Sequence, residues 1–196
     1  MAKRSFDILF SAIGLLFFLP IFLLISLVIL LESRGGVFYF QNRVGKNNID
    51  FILYKFRTMF TNSDKAGLIT VGMRDSRITR VGYYLRKYKL DELPQLLNVL
   101  EGTMSFVGPR PEVRKYVSLY TDEQKRVLSV KPGITDYASI EYSNENELLG
   151  QSDNPDQLYI ETIMPAKLKL NLKYIDELSL RTDIKLILLT IKKIIQ

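Results

Sequence analysis

The hydrophobic pattern divides the chain into one long apolar run and a series of short amphipathic segments. Across residues 8–31 nothing is charged, and Ser11 and Ser26 are the only polar side chains. Crossing a hydrocarbon core as a helix takes about 20 such residues. The run is too long for a signal peptide, and no small-residue cleavage site follows it. Pro20 lies near its middle and predicts a break or kink. Two arrangements fit: a helix that spans the bilayer, or a re-entrant one that enters, turns and leaves on the same side. Lys3 and Arg4 precede the run, and Arg34, Arg43 and Lys46 follow it, so both flanks carry the charge of a cytoplasmic face. That symmetry favours the re-entrant hairpin, although proline also occurs in spanning helices. Residues 1–34 are assigned to the membrane and residues 35–196 to a cytoplasmic domain.

Within that domain, residues 37–40 and 51–56 are rich in β-formers and residues 43–48 read as a turn, which predicts a β-hairpin. Residues 61–74, polar and glycine-containing, read as a loop. Ile78, Val81 and Leu85 mark a short helix. Leu93, Leu96, Leu97 and Leu100 mark the next, with Pro94 tolerated in its first turn. Pro111 is expected to open a helix carrying Val113, Tyr116, Val117 and Tyr120. Thr121-Asp-Glu-Gln124 is a capping-box pattern. Residues 131–135 read as a tight turn, residues 143–156 as a polar loop, and Pro165 as the start of a helix with Leu168, Leu172 and Ile175 on one side. The last stretch repeats Ile184, Ile187, Leu188, Ile191 and Ile195, with Lys185, Lys192 and Lys193 elsewhere. Such a helix either lies on an anionic membrane or closes the core. The expected fold class is α+β: a re-entrant membrane hairpin, then a small, mostly helical domain with a short β-hairpin and interfacial amphipathic helices.

Composition narrows the chemistry. The chain has 27 Lys and Arg against 21 Asp and Glu, a formal charge of +6. That excess suits anionic partners: lipid head groups, phosphorylated substrates or nucleic acid. There is no Cys and no His, which removes thiol catalysis, the usual zinc sites and any His-dependent triad. A metal would have to be held by oxygen, which points to Mg²⁺ or Mn²⁺, and a general base would be Asp or Glu. No nucleic-acid signature is present, and aromatic residues do not interleave with basic ones as stacking platforms would. A membrane-tethered binding module is the non-enzymatic alternative, and nucleic acid is not an expected partner.

Asp91 and Glu92 sit at or just before the start of the leucine-marked helix, where backbone N–H groups and the helix dipole favour ionised carboxylates. Asp91 there is a candidate nucleophile or metal ligand; the plainer reading is a helix cap. Lys55 and Arg57 lie two apart at the end of a strand, either a phosphate-binding pair or a solvated edge. Arg110, between Pro109 and Pro111, can present a bidentate fork to a phosphate, or simply decorate a turn. Arg86 belongs to a basic helix leading into the acidic pair.

Taken together these residues resemble the bacterial sugar transferase family, the monotopic phosphoglycosyl transferases. The resemblance runs from Lys3-Arg-Ser-Phe-Asp7 and the apolar run through Phe40-Gln-Asn-Arg-Val-Gly45, Tyr54-Lys-Phe-Arg-Thr-Met59 and Asp75-Ser-Arg-Ile-Thr-Arg-Val-Gly82. It continues through Leu90-Asp-Glu-Leu-Pro-Gln-Leu-Leu-Asn-Val-Leu-Glu-Gly102, Met104-Ser-Phe-Val-Gly-Pro-Arg-Pro111 and Lys131-Pro-Gly-Ile-Thr135. It implies transfer of a phospho-sugar from a UDP-sugar to polyprenyl phosphate at the cytoplasmic face of the bacterial inner membrane, among membrane lipids. It further implies a covalent intermediate on Asp91, Glu92 as its partner carboxylate and Mg²⁺ held at Asp91. Lys55, Arg57 and Arg110, with Arg86, are the expected phosphate ligands. A homo-oligomer is compatible with the resemblance. The chain departs from the family pattern at Leu19 before Pro20, where serine is frequent. It departs again at Asp136-Tyr-Ala-Ser139, which bears on sugar recognition.

Overall fold

The computed structural model describes residues 2–61, 63 and 75–195, so nearly all of the loop expected at 61–74 lies outside the described residues. α1 (Ala2–Glu32) is one helix, and the break expected at Pro20 does not occur. The proline removes one backbone donor, and the rest of the ladder carries on. Charge at the head of α1 is consumed by the domain. Lys3 Nζ donates to the Val107 carbonyl (3.0 Å) and the Tyr174 hydroxyl (3.2 Å) and pairs with buried Asp183. Arg4 donates to the carbonyls of Val99 (2.6 Å) and Leu100 (2.8 Å). Buried Asp7 accepts from Ser105 Oγ and the Phe106 amide. At the other end Glu32 accepts from the Val81 amide (3.0 Å), and Ile25 and Ile29 are buried with Phe56 and Leu85. Leu9, Ile13, Leu16, Phe17, Leu24, Leu27 and Leu31 are each more than half exposed.

β1 (Phe38–Val44) and β2 (Asp50–Phe56) pair antiparallel, Phe38 opposite Phe56 and Val44 opposite Asp50. The turn is tighter than the pattern suggested: Arg43 and Val44 stay in the strand, and Asn47 and Asn48 take the positive φ of the reversal. α2 (Arg80–Lys87) is capped by Thr79, whose Oγ1 accepts from the Gly82 amide at 2.9 Å. Lys89, at φ 56°, turns the chain into a 3₁₀ turn over Leu90–Glu92, and α3 (Gln95–Glu101) follows Pro94. The Arg4 guanidinium sits on the last carbonyls of α3, where a cation is favoured.

β3 (Ser105–Val107) and β4 (Gly133–Thr135) form a parallel pair, so residues 131–135 include a strand where a turn was expected. The residue just beyond β3 meets the first residue of β4, and both are glycines. A Cβ on Gly133 would fall 2.1 Å from the Gly108 nitrogen, and one on Gly108 would fall 2.3 Å from the Lys131 carbonyl oxygen. α4 (Arg114–Val117) starts three residues after Pro111, later than expected, because the Glu112 carbonyl first accepts from the Val44 amide (2.9 Å). The capping box forms: Gln124 N donates to Thr121 Oγ1 (3.3 Å) and Thr121 N to Gln124 Oε1 (2.9 Å), opening a 3₁₀ segment, Gln124–Ser129.

α5 (Tyr137–Glu141) is followed by α6 (Glu145–Gly150) and α7 (Pro155–Leu158) in the stretch expected to be loop. Leu149 of α6 is buried in the main core with Val113, Tyr116, Tyr159 and Leu168, which gives that polar stretch its hold. A π-turn over Tyr159–Ile163 leads into α8 (Met164–Asp176), and α9 (Leu180–Ile195) closes the chain. In α9 Ile184, Leu188 and Ile191 of the predicted stripe are exposed, whereas Ile187 packs on the core beside Leu186, and Asp183 is buried. The helix therefore meets the domain through the face that carries Asp183, Leu186 and Ile187. Overall, the chain is a mixed helical domain with two small two-stranded sheets and one long apolar helix.

The glycine contact is testable. Gly133→Ala is expected to destabilise the fold by about 1–3 kcal/mol through overpacking against the Gly108 backbone. Chemical denaturation of wild type and variant in the same detergent measures it.

Candidate active site

A polar cavity of about 600 Å³ opens between α2, the Leu90–Glu92 turn, the 109–113 segment and α6. Lys55, Arg86, Asp91, Glu92 and Arg110 all line it. Five of the six residues singled out in the sequence are thus brought together. Arg57 is not. β2 ends at Phe56, so strand alternation does not carry on to residue 57. The Arg57 guanidinium turns away and donates to the carbonyls of Ser33 (3.0 Å), Arg34 (3.0 Å) and Gly36 (2.6 Å) and to Ser33 Oγ (3.0 Å). It is buried and ties the connection between α1 and β1 to the end of β2; neither phosphate binding nor a solvated edge describes it.

The two adjacent carboxylates meet opposite environments. Glu92 is clamped: Arg110 forms a two-pronged pair with it, NH1 to Oε2 at 3.2 Å and NH2 to Oε1, and Lys55 Nζ reaches Oε1 at 3.0 Å. Although burial opposes ionisation, Arg110 and Lys55 hold Glu92 well below the usual glutamate range. Its field in turn pushes Arg110 up. Asp91 is buried too, but no described residue donates a hydrogen bond to its carboxylate. Burial raises its pKa, Lys55 opposes the rise, and Glu92 adds to it. The expected favour of a helix dipole does not dominate here. Nor does Asp91 serve as a cap: that position is Pro94, and no side chain bonds the first turn of α3.

Such an arrangement leaves one acidic side chain chemically available among cations that still have donors to give. Lys55 uses one of its three N–H groups on Glu92, and Arg110 two of its five. Burial lowers the Lys55 pKa, and burial likewise lowers that of Arg86. No group of three or more acidic side chains converges among the described residues, so a cation here would meet few protein ligands.

The sequence did not single out a second cluster lining the same cavity. Arg43 donates to the Pro111 carbonyl (3.0 Å) and pairs with Glu112 at 3.6 Å. The Tyr159 hydroxyl donates to Glu112, and buried Lys167 bonds Glu145 at 2.7 Å. In the sequence Arg43 reads only as a basic flank, and Lys167 carries no signal of its own. Their long-range partners, 69 and 22 residues away in sequence, leave no local periodicity to read.

The carboxylate pair makes opposite predictions. Glu92→Gln leaves Arg110 and Lys55 buried against a neutral amide and is expected to cost about 2–4 kcal/mol, less than for a fully enclosed pair. A depressed folded pKa contributes stability above the ordinary glutamate value and loses it as pH falls through the depressed one. The cost should therefore shrink in acid. A raised folded pKa acts the other way, so Asp91→Asn should raise the melting temperature at neutral pH. That gain should vanish below the ordinary aspartate range. Melting curves of both variants from pH 3 to pH 8 measure the two signs.

A family model for bacterial sugar transferase matches residues 1–196. The UDP-N-acetylgalactosamine-undecaprenyl-phosphate N-acetylgalactosaminephosphotransferase of Aeromonas hydrophila is 39% identical over 196 residues, covering 98% of this chain and 43% of that protein. The UDP-glucose:undecaprenyl-phosphate glucose-1-phosphate transferase of Escherichia coli is 35% identical over 196 residues, covering 98% of this chain and 40% of that protein. The uncharacterized sugar transferase EpsL of Bacillus subtilis is 38% identical over 194 residues, covering 98% of this chain and 87% of that protein. The chain thus spans less than half the length of the first two and most of the third. With a whole-chain family match and relatives well above 30% identity, the chain belongs to the bacterial sugar transferase family.

Proposed function

We propose that this chain transfers a sugar-1-phosphate from a UDP-sugar to polyprenyl phosphate in two displacements at Asp91, beginning glycan or glycoconjugate assembly. The observation that carries this reading is the split between Asp91 and Glu92: one carboxylate saturated by Arg110 and Lys55, its neighbour buried and uncommitted. In the first displacement an Asp91 oxygen bonds the sugar-bearing phosphorus. The P–O bond to the nucleotide breaks, and the nucleoside monophosphate leaves with the electron pair. In the second, an oxygen of polyprenyl phosphate bonds the same phosphorus and the Asp91 carboxylate is released. Splitting the transfer in this way lets a water-soluble donor and a lipid acceptor use one site in turn.

A carboxylate approaching a diphosphate faces like-charge repulsion. The unspent donors of Lys55 and Arg110 are placed to offset it, and Arg86 adds positive charge to the same cavity. An oxygen-only donor set suits Mg²⁺, an ion commonly held by one or two carboxylates plus substrate phosphates. Asp91, whose oxygens accept no described hydrogen bond, is the residue that would hold it. Bound there, the ion would supply further neutralisation of the phosphates.

The contacts of α1 support a helix that does not span the bilayer, held as one unbroken rod against one membrane face and not as a two-armed hairpin. Its first residues are bonded to β3, α3, α8 and α9, and its last residues to α2, with Phe22 edge-on to Phe56 of β2. Both ends therefore rest on one domain, and Pro20 lies between the two sets of contacts. The outward leucines and phenylalanines of α1, with the exposed stripe of α9, then face lipid, and the domain sits on the cytoplasmic face with its cavity near the head groups.

Asp91→Asn is expected to lower UMP release from UDP-sugar by more than about a thousandfold. Donor alone should add one phospho-sugar mass to the peptide containing Asp91. An unmodified peptide, under conditions that preserve acyl phosphates, would overturn the two-displacement route. Removing Mg²⁺ with a chelator should stop turnover, and adding it back should restore it. The chain lacks cysteine, so single cysteines placed at Ala2 and Arg34 report topology cleanly. Both should be shielded from a membrane-impermeant thiol reagent added outside intact cells.

A further inference from the structure

β1 covers one edge of β2. The other edge faces α3, and there a side chain takes the place of a neighbouring strand. Asn98 is fully buried. Its Oδ1 accepts from the Tyr54 amide at 3.0 Å, and its Nδ2 donates to the Ile52 carbonyl at 2.8 Å. Those two backbone groups are two residues apart and point to the same edge, so one carboxamide, with a donor and an acceptor, matches both. A leucine would fill the space and leave both groups buried and unpaired, at a cost in folding free energy.

The main chain of Asn98 makes a third connection. Its carbonyl accepts from the Gly102 amide (3.0 Å), the Met104 amide (3.1 Å) and Thr103 Oγ1 (3.1 Å). Gly102, at φ 94°, ends α3, and the chain turns directly into β3. Leu53, Val99 and Met104, each next to one of these bonds or part of it, form one buried cluster. A single residue thus joins β2, the end of α3 and the start of β3.

The same three elements carry the groups around the acidic pair. Lys55 follows Tyr54 on β2, Asp91 and Glu92 precede α3, and Arg110 comes shortly after β3. The contact of Lys55 Nζ with Glu92 Oε1, 3.0 Å, therefore depends on the spacing between β2 and α3. A second bond between those elements, from the Tyr54 hydroxyl to Glu101, is exposed and longer at 3.4 Å. Asn98 supplies the buried one. It does not line the cavity, so any effect it has on the chemistry passes through the groups that do.

We propose that Asn98 is a positioning residue for the transfer: its carboxamide fixes the spacing at which Lys55 meets Glu92 and Asp91 stays uncommitted. The kinetic part of this inference rests on the transferase reading above.

The test uses the full chain in detergent with Mg²⁺, undecaprenyl phosphate and four donors: UDP-glucose, UDP-galactose, UDP-N-acetylglucosamine and UDP-N-acetylgalactosamine. Asn98→Ala is expected to lower kcat about tenfold and to leave the donor KM within about twofold, because the cavity lining is kept and only its spacing changes. In a Lys55→Met background the same substitution should cost less than about twofold, since the group it acts through is already gone. An undiminished loss in that background, or an unchanged kcat in Asn98→Ala, overturns the positioning role. A second readout needs no turnover. With Asn98 in place, the melting-temperature losses of Lys55→Met and Glu92→Gln should be less than additive, as bonded partners require. With Asn98→Ala they should become additive, and Asn98→Ser, which keeps a hydroxyl at the buried edge, serves if the alanine variant does not fold. Persistent non-additivity in these backgrounds overturns the proposal. If wild type releases UMP from none of the donors, the transferase reading falls, while the melting cycle still decides whether Asn98 places Lys55 against Glu92.

Discussion

Two carboxylates on adjacent residues, buried side by side, cannot both remain ionised without countercharge. The double contact of Arg110 and the ammonium of Lys55 resolve that conflict in favour of Glu92. Asp91 is left in the same low-dielectric pocket with its oxygens unclaimed. A lone pair tied up by a guanidinium is a poor nucleophile, and one surrounded by water is shielded by its hydration shell. Asp91 escapes the first condition, and its burial limits the second to what reaches it through the cavity. The clamp on Glu92 also anchors the two cations, so they would already be in place for the proposed diphosphate donor and cost little reorganisation.

The scaffold holds each arm of this clamp from a different direction. Lys55 projects from β2. Arg110 sits between two prolines just beyond β3, where the Asp136 carboxylate takes its amide and the Gly108–Gly133 contact sets the parallel pair. Asp91 and Glu92 ride on the turn before α3, and the far end of α3 is gripped by Arg4. α1 is therefore part of the active-site framework as well as an apolar anchor. A shift of α1 would be felt at the acidic pair through α3, and at Arg110 through Lys3, Asp7 and β3. Residues whose positive charge reads as a topology signal are, in the folded chain, bonded to backbone carbonyls and to Asp183.

Local signals in the sequence were reliable where the physics is local. The β-hairpin, the capping box at Thr121 and Gln124, Pro94 ahead of α3 and the exposed stripe of α9 all follow from nearest-neighbour spacing. Long-range pairing was not legible. Residues 131–135 looked like a turn because a three-residue parallel strand has no periodicity of its own and exists only against β3. The helix after Pro111 was placed too early because Glu112 first pairs with β1, a partner 68 residues back. Residues 143–156 looked like loop because one buried leucine, Leu149, supplies much of the hold on α6. For the site, five of the six candidates line one cavity. Arg57 failed because strand alternation was extended one residue past the end of β2.

The absence of His and Cys gives these observations a common direction. Without imidazole or thiolate, the proposed two-step transfer would draw its nucleophile from a carboxylate, whose ordinary pKa makes it abundant at neutral pH but weak. For the proposed role, burying Asp91 without hydrogen bonds moves it the useful way, since desolvation raises its pKa and with it the basicity of its oxygens. The same burial would leave it protonated if nothing opposed the shift, and Lys55 does oppose it. Lys55 thus has two effects that share one geometry: it helps hold Glu92, and it keeps Asp91 from rising too far. Replacing Lys55 would move both carboxylates together, which is why the pair behaves as a single unit rather than as a nucleophile with a bystander.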